Sequence, residues 1–442
     1  MSPTKAAGKG CLVRAVRAYV IFVVVSLLLT VSVGYLAAGR AVHRTAKAWA
    51  DAFEPMGSFV ARYPKQPDSP AGRKLDELTR PLGIEMCGPR GATSGGAKGP
   101  HDDLFQELGT HIGNCERAGS DECAPPSNQA QLFLERERAR LDATETQILE
   151  GGPLRWEQDV SKGVAAPIPR LLGHRWLQNL LLTRALMHSG QGRLDAAERT
   201  LEASWILNAS MTERPDLLSR LIAVAVTEMQ HGVLRTMKAP SERWPPRMRQ
   251  SVLDSDVRVP YQLEAWNWTR FTEASWGIFD VDYMESGEPP PRTLARATGQ
   301  LLTAPYVRLS IAGMSEALLR ASQELGPQRR CDLDLERYAK EFEESFPRWN
   351  ILGRIATPSV VRTWASLRYA NLDRELTAHV LAARGERRAT GQWPSASLPS
   401  STCEGVIWRQ QPAGDGTFTI RASEKPFAAQ DLNWRWSVHL HP

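Results

Sequence analysis

Apolar and polar positions divide this chain into segments of distinct period. From Ala18 to Gly39 it reads AYVIFVVVSLLLTVSVGYLAAG, 22 residues without a charge. A helix of that length covers roughly 30 Å, the thickness of bilayer hydrocarbon, so 18–39 is expected to be a transmembrane helix. Ala41 to Glu85 then predicts a helix continuing outward, interrupted by Pro64, Pro67 and Pro70, and a second one with Leu75, Leu78 and Leu82 on one face. Further on the helical period returns repeatedly. Gln129–Leu149 follows a cap at Ser127 or Asn128, and Leu172, Trp176, Leu180 and Met187 form the next stripe. After Gly190-Gln191-Gly192 come Ala197, Leu201 and Trp205; after Pro215 come Leu218, Ile222, Ala225, Met229 and Val233. Short Gly or Pro connections predict antiparallel helical neighbours. Val307, Ile311, Met314, Leu318, Ala321 and Leu325 mark another helix, stopped by Gly326-Pro327. Thr357-Pro358 predicts the start of a long one carrying Val361, Ala365, Tyr369, Leu372, Leu376 and Val380 and ending near Gly391.

The period then drops to two. Phe418 and Ile420, and later Trp434, Trp436, Val438 and Leu440, alternate with polar residues, and Gly405 to Arg409 precedes them. These predict a small antiparallel meander whose single apolar face needs a cover, which the long helix can supply. The expected fold class is therefore mainly α. It comprises an N-terminal transmembrane helix, an antiparallel helical-hairpin body and a small C-terminal antiparallel β meander packed on a long helix. Residues 88–128 hold 8 Gly and 4 Pro and predict a long exposed loop. The expected domains are a cytoplasmic N-terminus (1–17), the anchor (18–39), juxtamembrane helices (40–87), that Gly/Pro-rich loop (88–128), a helical body (129–356) and the long helix plus sheet (357–442).

Charge sharpens the picture. Lys5, Lys9, Arg14 and Arg17 precede the apolar run and Arg40, Arg44 and Lys47 follow it, which favours a cytoplasmic N-terminus. Ala37-Ala38-Gly39 offers small residues for signal cleavage, but signal h-regions run about 7–15 residues, so an uncleaved anchor is the expectation. The net charge of +5 is spread over 442 residues and argues against a nucleic-acid partner. The expected site is a bacterial inner membrane, crossed once, with the bulk of the chain periplasmic.

Five cysteines lie beyond the anchor, an odd number that leaves at least one unpaired within the chain: Cys87, Cys115, Cys123, Cys331 and Cys403. Cys115 and Cys123 are close in sequence within the Gly-rich stretch and predict a disulfide that would pin it. A zinc site built from these two with His111 and Cys87 lacks the C-x₂-C pair that structural zinc sites favour. His439 and His441 share one side of a strand, where alternation with apolar neighbours explains them without a metal. Gly313-Met314-Ser315-Glu316-Ala317 approaches a nucleophile elbow but lies inside a helical stripe and ends in Ala. Gly190-x-Gly192 joins two helices and is no dinucleotide loop. The acidic run Asp332, Asp334, Glu336, Glu341, Glu343 and Glu344 fits a solvated helix face. Trp266, Trp268 and Trp276 fit core positions better than a stacking site. No catalytic, cofactor or metal residue is assigned.

The stretch GQGRLDAAERTLEASW resembles the second half of a tetratricopeptide unit, with Gly192, Ala197 and Leu201 at the family's turn, small and large positions. His188 stands where the family has an aromatic residue and Ala209 where it has Pro, so the resemblance implies one degraded helix–turn–helix over 171–209. Through RYPKQPDSPAGRKLDELTRPLGIE, GRLDAAERTLEASWILNASMTERPDLLSRLIAVAV and RGERRATGQWPSASLP, the chain also resembles uncharacterised bacterial single-pass, extracytoplasmic helical proteins. The last stretch is similar to pseudopilin-like C-terminal regions too, although anchor and long helix are not contiguous here. Two functions are expected from all this: a membrane-anchored interaction or scaffold module that meets a protein partner, or an exported hydrolase whose acid–base pair leaves no motif.

Overall fold

The computed structural model describes residues 7–87, 100–117, 123–249, 258–274, 294–325, 331–413, 416–424 and 437–441. Trp276, Gly326, Pro327, Trp434 and Trp436 lie outside them. Fourteen α-helices and a small sheet make up the described chain. Helix α1 (Ala7–Ala52) is continuous and is long and apolar enough to cross a membrane. Most of its residues from Val16 to Val33 are exposed, whereas Ala38, Thr45 and Trp49 are buried. Apolar groups left bare at one end and covered at the other divide this helix between two environments.

After α2 (Met56–Arg62), Ser69 caps α3 (Pro70–Thr79) by accepting a hydrogen bond from the Gly72 N–H, with Pro70 in the first turn. The stretch 88–128 departs from the expected loop. It contains α4 (Asp102–Arg117), in which Leu104, Phe105, Leu108 and Ile112 are buried. The composition misled because Gly and Pro concentrate at the two ends, while 102–117 keeps a helical apolar stripe and opens on Asp102 and Asp103, which suit a helix N-terminus. The helix foreseen over 129–149 is two, α5 (Asn128–Arg136) and α6 (Arg138–Glu150), broken at Glu137; Ser127 rather than Asn128 caps the first.

Helices α7 (Leu171–Gly190) and α8 (Leu194–Thr212) meet through a tight turn and run back along each other. The Ser204 hydroxyl donates to Gln178 Oε1 and the Gln178 amide donates back to the Ser204 carbonyl, and Leu180, Leu181, Ala203 and Leu207 share one core. Helix α9 (Leu217–Thr236) is capped by Asp216 and packs on both. Its buried face carries Ala223, Val226, Met229 and Val233, while Leu218 is exposed. Asn208, in a glycosylation-like triplet, is buried and donates to the Ala223 carbonyl and the Thr227 hydroxyl. After α10 (Trp244–Arg249) and α11 (Arg258–Ala274), α12 (Leu294–Leu325) buries Val307, Ile311, Met314, Leu318, Ala321 and Leu325, all six positions of its stripe. Ser315 is structural: it accepts from the Trp49 indole N–H at 3.1 Å.

Asp334 caps α13 (Leu335–Glu344); of the acidic run, Glu341 pairs with Arg337 on the same helix and Glu343 with Arg354 beyond it. The long helix α14 (Ile351–Thr390) starts earlier than Thr357-Pro358 suggests. Asn350 is its cap, accepting from the Gly353 N–H, so the backbone stays helical through Pro358 and the boundary at 356/357 falls inside a helix. Strands β1 (Ala396–Pro399), β2 (Ile407–Pro412), β3 (Phe418–Ala422) and β4 (Ser437–Leu440) form an antiparallel sheet in sequence order, with Trp408 opposite Ala422 and Ile420 opposite Val438. Trp408, Phe418, Ile420, Val438 and Leu440 are fully buried in the same core as Leu372, Leu376 and Val380 of α14.

Glu375 ties this junction. Its carboxylate accepts from the hydroxyls of Ser400, Ser401 and Thr402 at 2.5–2.6 Å and from the Trp408 indole N–H at 3.0 Å. Burial pushes the carboxyl up, but the four hydrogen bonds together outweigh it and hold the group below the ordinary glutamate range. A depressed carboxylate contributes stability that is present above the unfolded value of about 4.3 and lost as pH falls through the folded one. Glu375→Gln is therefore expected to destabilise the protein at pH 7 and to lose less on acidification than the wild type. Urea midpoints measured from pH 7 to pH 3 check this.

Candidate functional site

The residues singled out for metal chemistry separate in space. Cys87 stands apart, its thiol pushed up to about 12 by burial and by the Asp68 and Asp76 carboxylates, while its backbone N–H donates to Asp76. Cys115 and Cys123 have Cα atoms 5.0 Å apart and their sulfurs bonded, and His111 lies one helical turn before Cys115 with Nε2 3.8 Å from Sγ. Ligand atoms of His111, Cys115 and Cys123 all lie within 4.8 Å of one another, so these three could hold a thiophilic ion once reduced. His439 is exposed and bonds Thr419, and among the described residues no third ligand joins it and His441.

A different site emerges between α4, α7 and α9: an open groove of ≈ 710 Å³. Its wall carries Asp102, Asp103 and Glu116 from α4, Arg175, Trp176 and Asn179 from α7, and Glu228 from α9. The stacking of Trp176 on Phe105, with centroids 5.0 Å apart and planes at 29°, fixes the aromatic side. Gly232 sets the acidic side. A Cβ there would sit 2.9 Å from the Glu116 Cα, so α4 and α9 touch at this point and Glu116 crosses one turn from Glu228. Burial raises the Glu228 carboxyl well above the ordinary range, and the charges of Glu116 and Asp373 push the same way against Arg235. Asn179 is 2% exposed; its amide N–H donates to the Phe105 carbonyl, while its Oδ1 has no partner. A buried acceptor without a donor is costly.

Sequence reasoning missed this groove. Glu116 and Glu228 sit on different helices far apart in the chain, and the one mark was Gly232 inside an otherwise regular helical pattern, a sign of close approach. Fold and groove define the class: a mainly helical protein with one long apolar N-terminal helix and a small four-stranded antiparallel sheet near its C-terminus. No family model, no curated protein and no solved structure matches the chain.

Proposed function

We propose that this protein is a membrane-anchored interaction module, held by α1 in a bacterial inner membrane with its body in the periplasm, and that the groove receives a cationic segment of a protein partner. The observation that carries the reading is the groove itself. Four carboxylates face one arginine across an aromatic wall, and a cation held between a Trp face and carboxylates gains from both. In this reading 171–209 is a single tetratricopeptide-like hairpin that supplies the wall rather than a repeat array. As pH rises through the elevated Glu228 range the groove gains a negative charge, so affinity for a cation rises with it.

Titration of the detergent-solubilised full chain with a fluorescent lysine-rich peptide tests the reading. Binding should weaken about tenfold or more in the double variant Glu116→Gln, Glu228→Gln, as loss of close charge pairs at an interface does. Equal affinity for lysine-rich and glutamate-rich peptides would overturn it. One observation favours a second reading, an exported hydrolase: a carboxyl whose pKa burial raises, one turn from where Glu116 crosses, is the kind of pairing that acid–base chemistry uses. Turnover of a glycoside or peptide substrate that disappears in Glu228→Gln would select that reading instead.

A further inference from the structure

Where α1 leaves its apolar stretch, α11 and α12 close around it. Gly34 lies against α12, since a Cβ there would sit 3.1 Å from the Pro305 ring; fifteen residues on, Trp49 bonds Ser315. Residue numbers rise together along both helices, so α1 and α12 run in the same direction. Gly34 is itself five residues inside that apolar stretch. The three-helix junction therefore stands at the level where hydrocarbon gives way to headgroups.

A pocket of ≈ 420 Å³ opens there, lined by Val42, His43, Trp266, Thr269, Arg308 and Ser315 among others. Its described lining contains no carboxylate. The Arg308 guanidinium lies 5.7 Å from the centre of the Tyr35 ring, an aromatic residue at the end of the apolar run. An apolar lining that also presents the Arg308 guanidinium and the exposed His43 imidazole matches a phosphate carried on acyl chains.

We infer that this pocket binds the headgroup of an anionic phospholipid, with Arg308 as its phosphate contact. The inference rests on α1 being a membrane anchor. Two measurements keep the readings apart. Resistance of the full chain to alkaline carbonate extraction tests the anchor alone. For the pocket, the protein is reconstituted in nanodiscs of equal phosphatidylglycerol and phosphatidylcholine, then transferred to mild detergent, and the lipids it retains are weighed by native mass spectrometry. The wild type should retain one phosphatidylglycerol in preference to phosphatidylcholine, and Arg308→Gln should lower that preference about fivefold, the effect of one basic residue at an anionic surface. Equal retention of the two lipids by the wild type overturns the inference whatever the variant does, as does an unchanged preference in a folded Arg308→Gln protein. Displacement of the retained lipid by millimolar inorganic phosphate would also overturn it, because the site would then select a soluble ion.

Discussion

Asp373→Ala is expected to destabilise the protein by about 3–5 kcal/mol, the range for removing one partner of a buried ion pair. Asp373 on α14 is fully buried and serves two partners on α9. Its Oδ1 accepts from the Arg235 guanidinium at 2.7 Å, and its Oδ2 lies 3.0 Å from His231 Nδ1. Arg235 also donates to the Thr377 hydroxyl at 2.7 Å. Burial keeps the His231 pKa below its ordinary value despite the carboxylate, so the imidazole is neutral and donates through Nδ1 while Arg235 carries the balancing charge. Removal of the carboxylate leaves a guanidinium 1% exposed with no counter-charge from this residue. Asp373→Asn retains an acceptor for Arg235 and should lose less. Urea unfolding of the solubilised chain checks both, and a wild-type midpoint for the Ala variant would remove this cluster from the account of stability.

The second large effect is assigned to Cys331 and Cys403. The structure bonds these two buried cysteines, 72 residues apart, across the entire length of α14. In the chain-entropy picture a loop of that size stabilises by about 4 kcal/mol, because the cross-link restricts the unfolded chain. The bond also fixes the turn before β2 onto the core shared by α14 and the sheet. The double variant Cys331→Ser, Cys403→Ser should therefore unfold at clearly lower urea. A strong dithiol should shift the wild type in the same direction and by more than it shifts the variant, which keeps only the short Cys115–Cys123 loop. Equal sensitivity of both proteins to the reductant would place the effect elsewhere, at Cys115 and Cys123.

How much of this was legible in the sequence follows from the range of each interaction. The α12 stripe could be read without error because all six positions repeat within one helix and all six are buried. Phe418, Ile420, Val438 and Leu440 could be read from alternation alone, whereas β1 could not, since ASLP carries no alternating pattern and pairs only as an edge. Helix α4 was hidden by averaging: a window of 41 residues blends its apolar stripe with the Gly and Pro on either side. The start of α14 was misplaced because Thr357-Pro358 is a strong local signal, and the competing cap at Asn350 shows itself only through the Gly353 N–H. Proximity in sequence pointed to Cys115 and Cys123, but nothing local joins Cys331 to Cys403. The groove belongs to this last kind. Glu116 and Glu228 become neighbours only after α4 lies on α9, and no periodicity within either helix records that.

All of the functional reading depends on which side of a bilayer the body occupies. A dual reporter at the C-terminus, alkaline phosphatase in tandem with a green fluorescent protein that lights only in the cytosol, measures this directly in intact bacteria. The account predicts active phosphatase and dark fluorescence, with α1 as anchor and the cysteines in an oxidising compartment. Bright fluorescence with inactive phosphatase would contradict it.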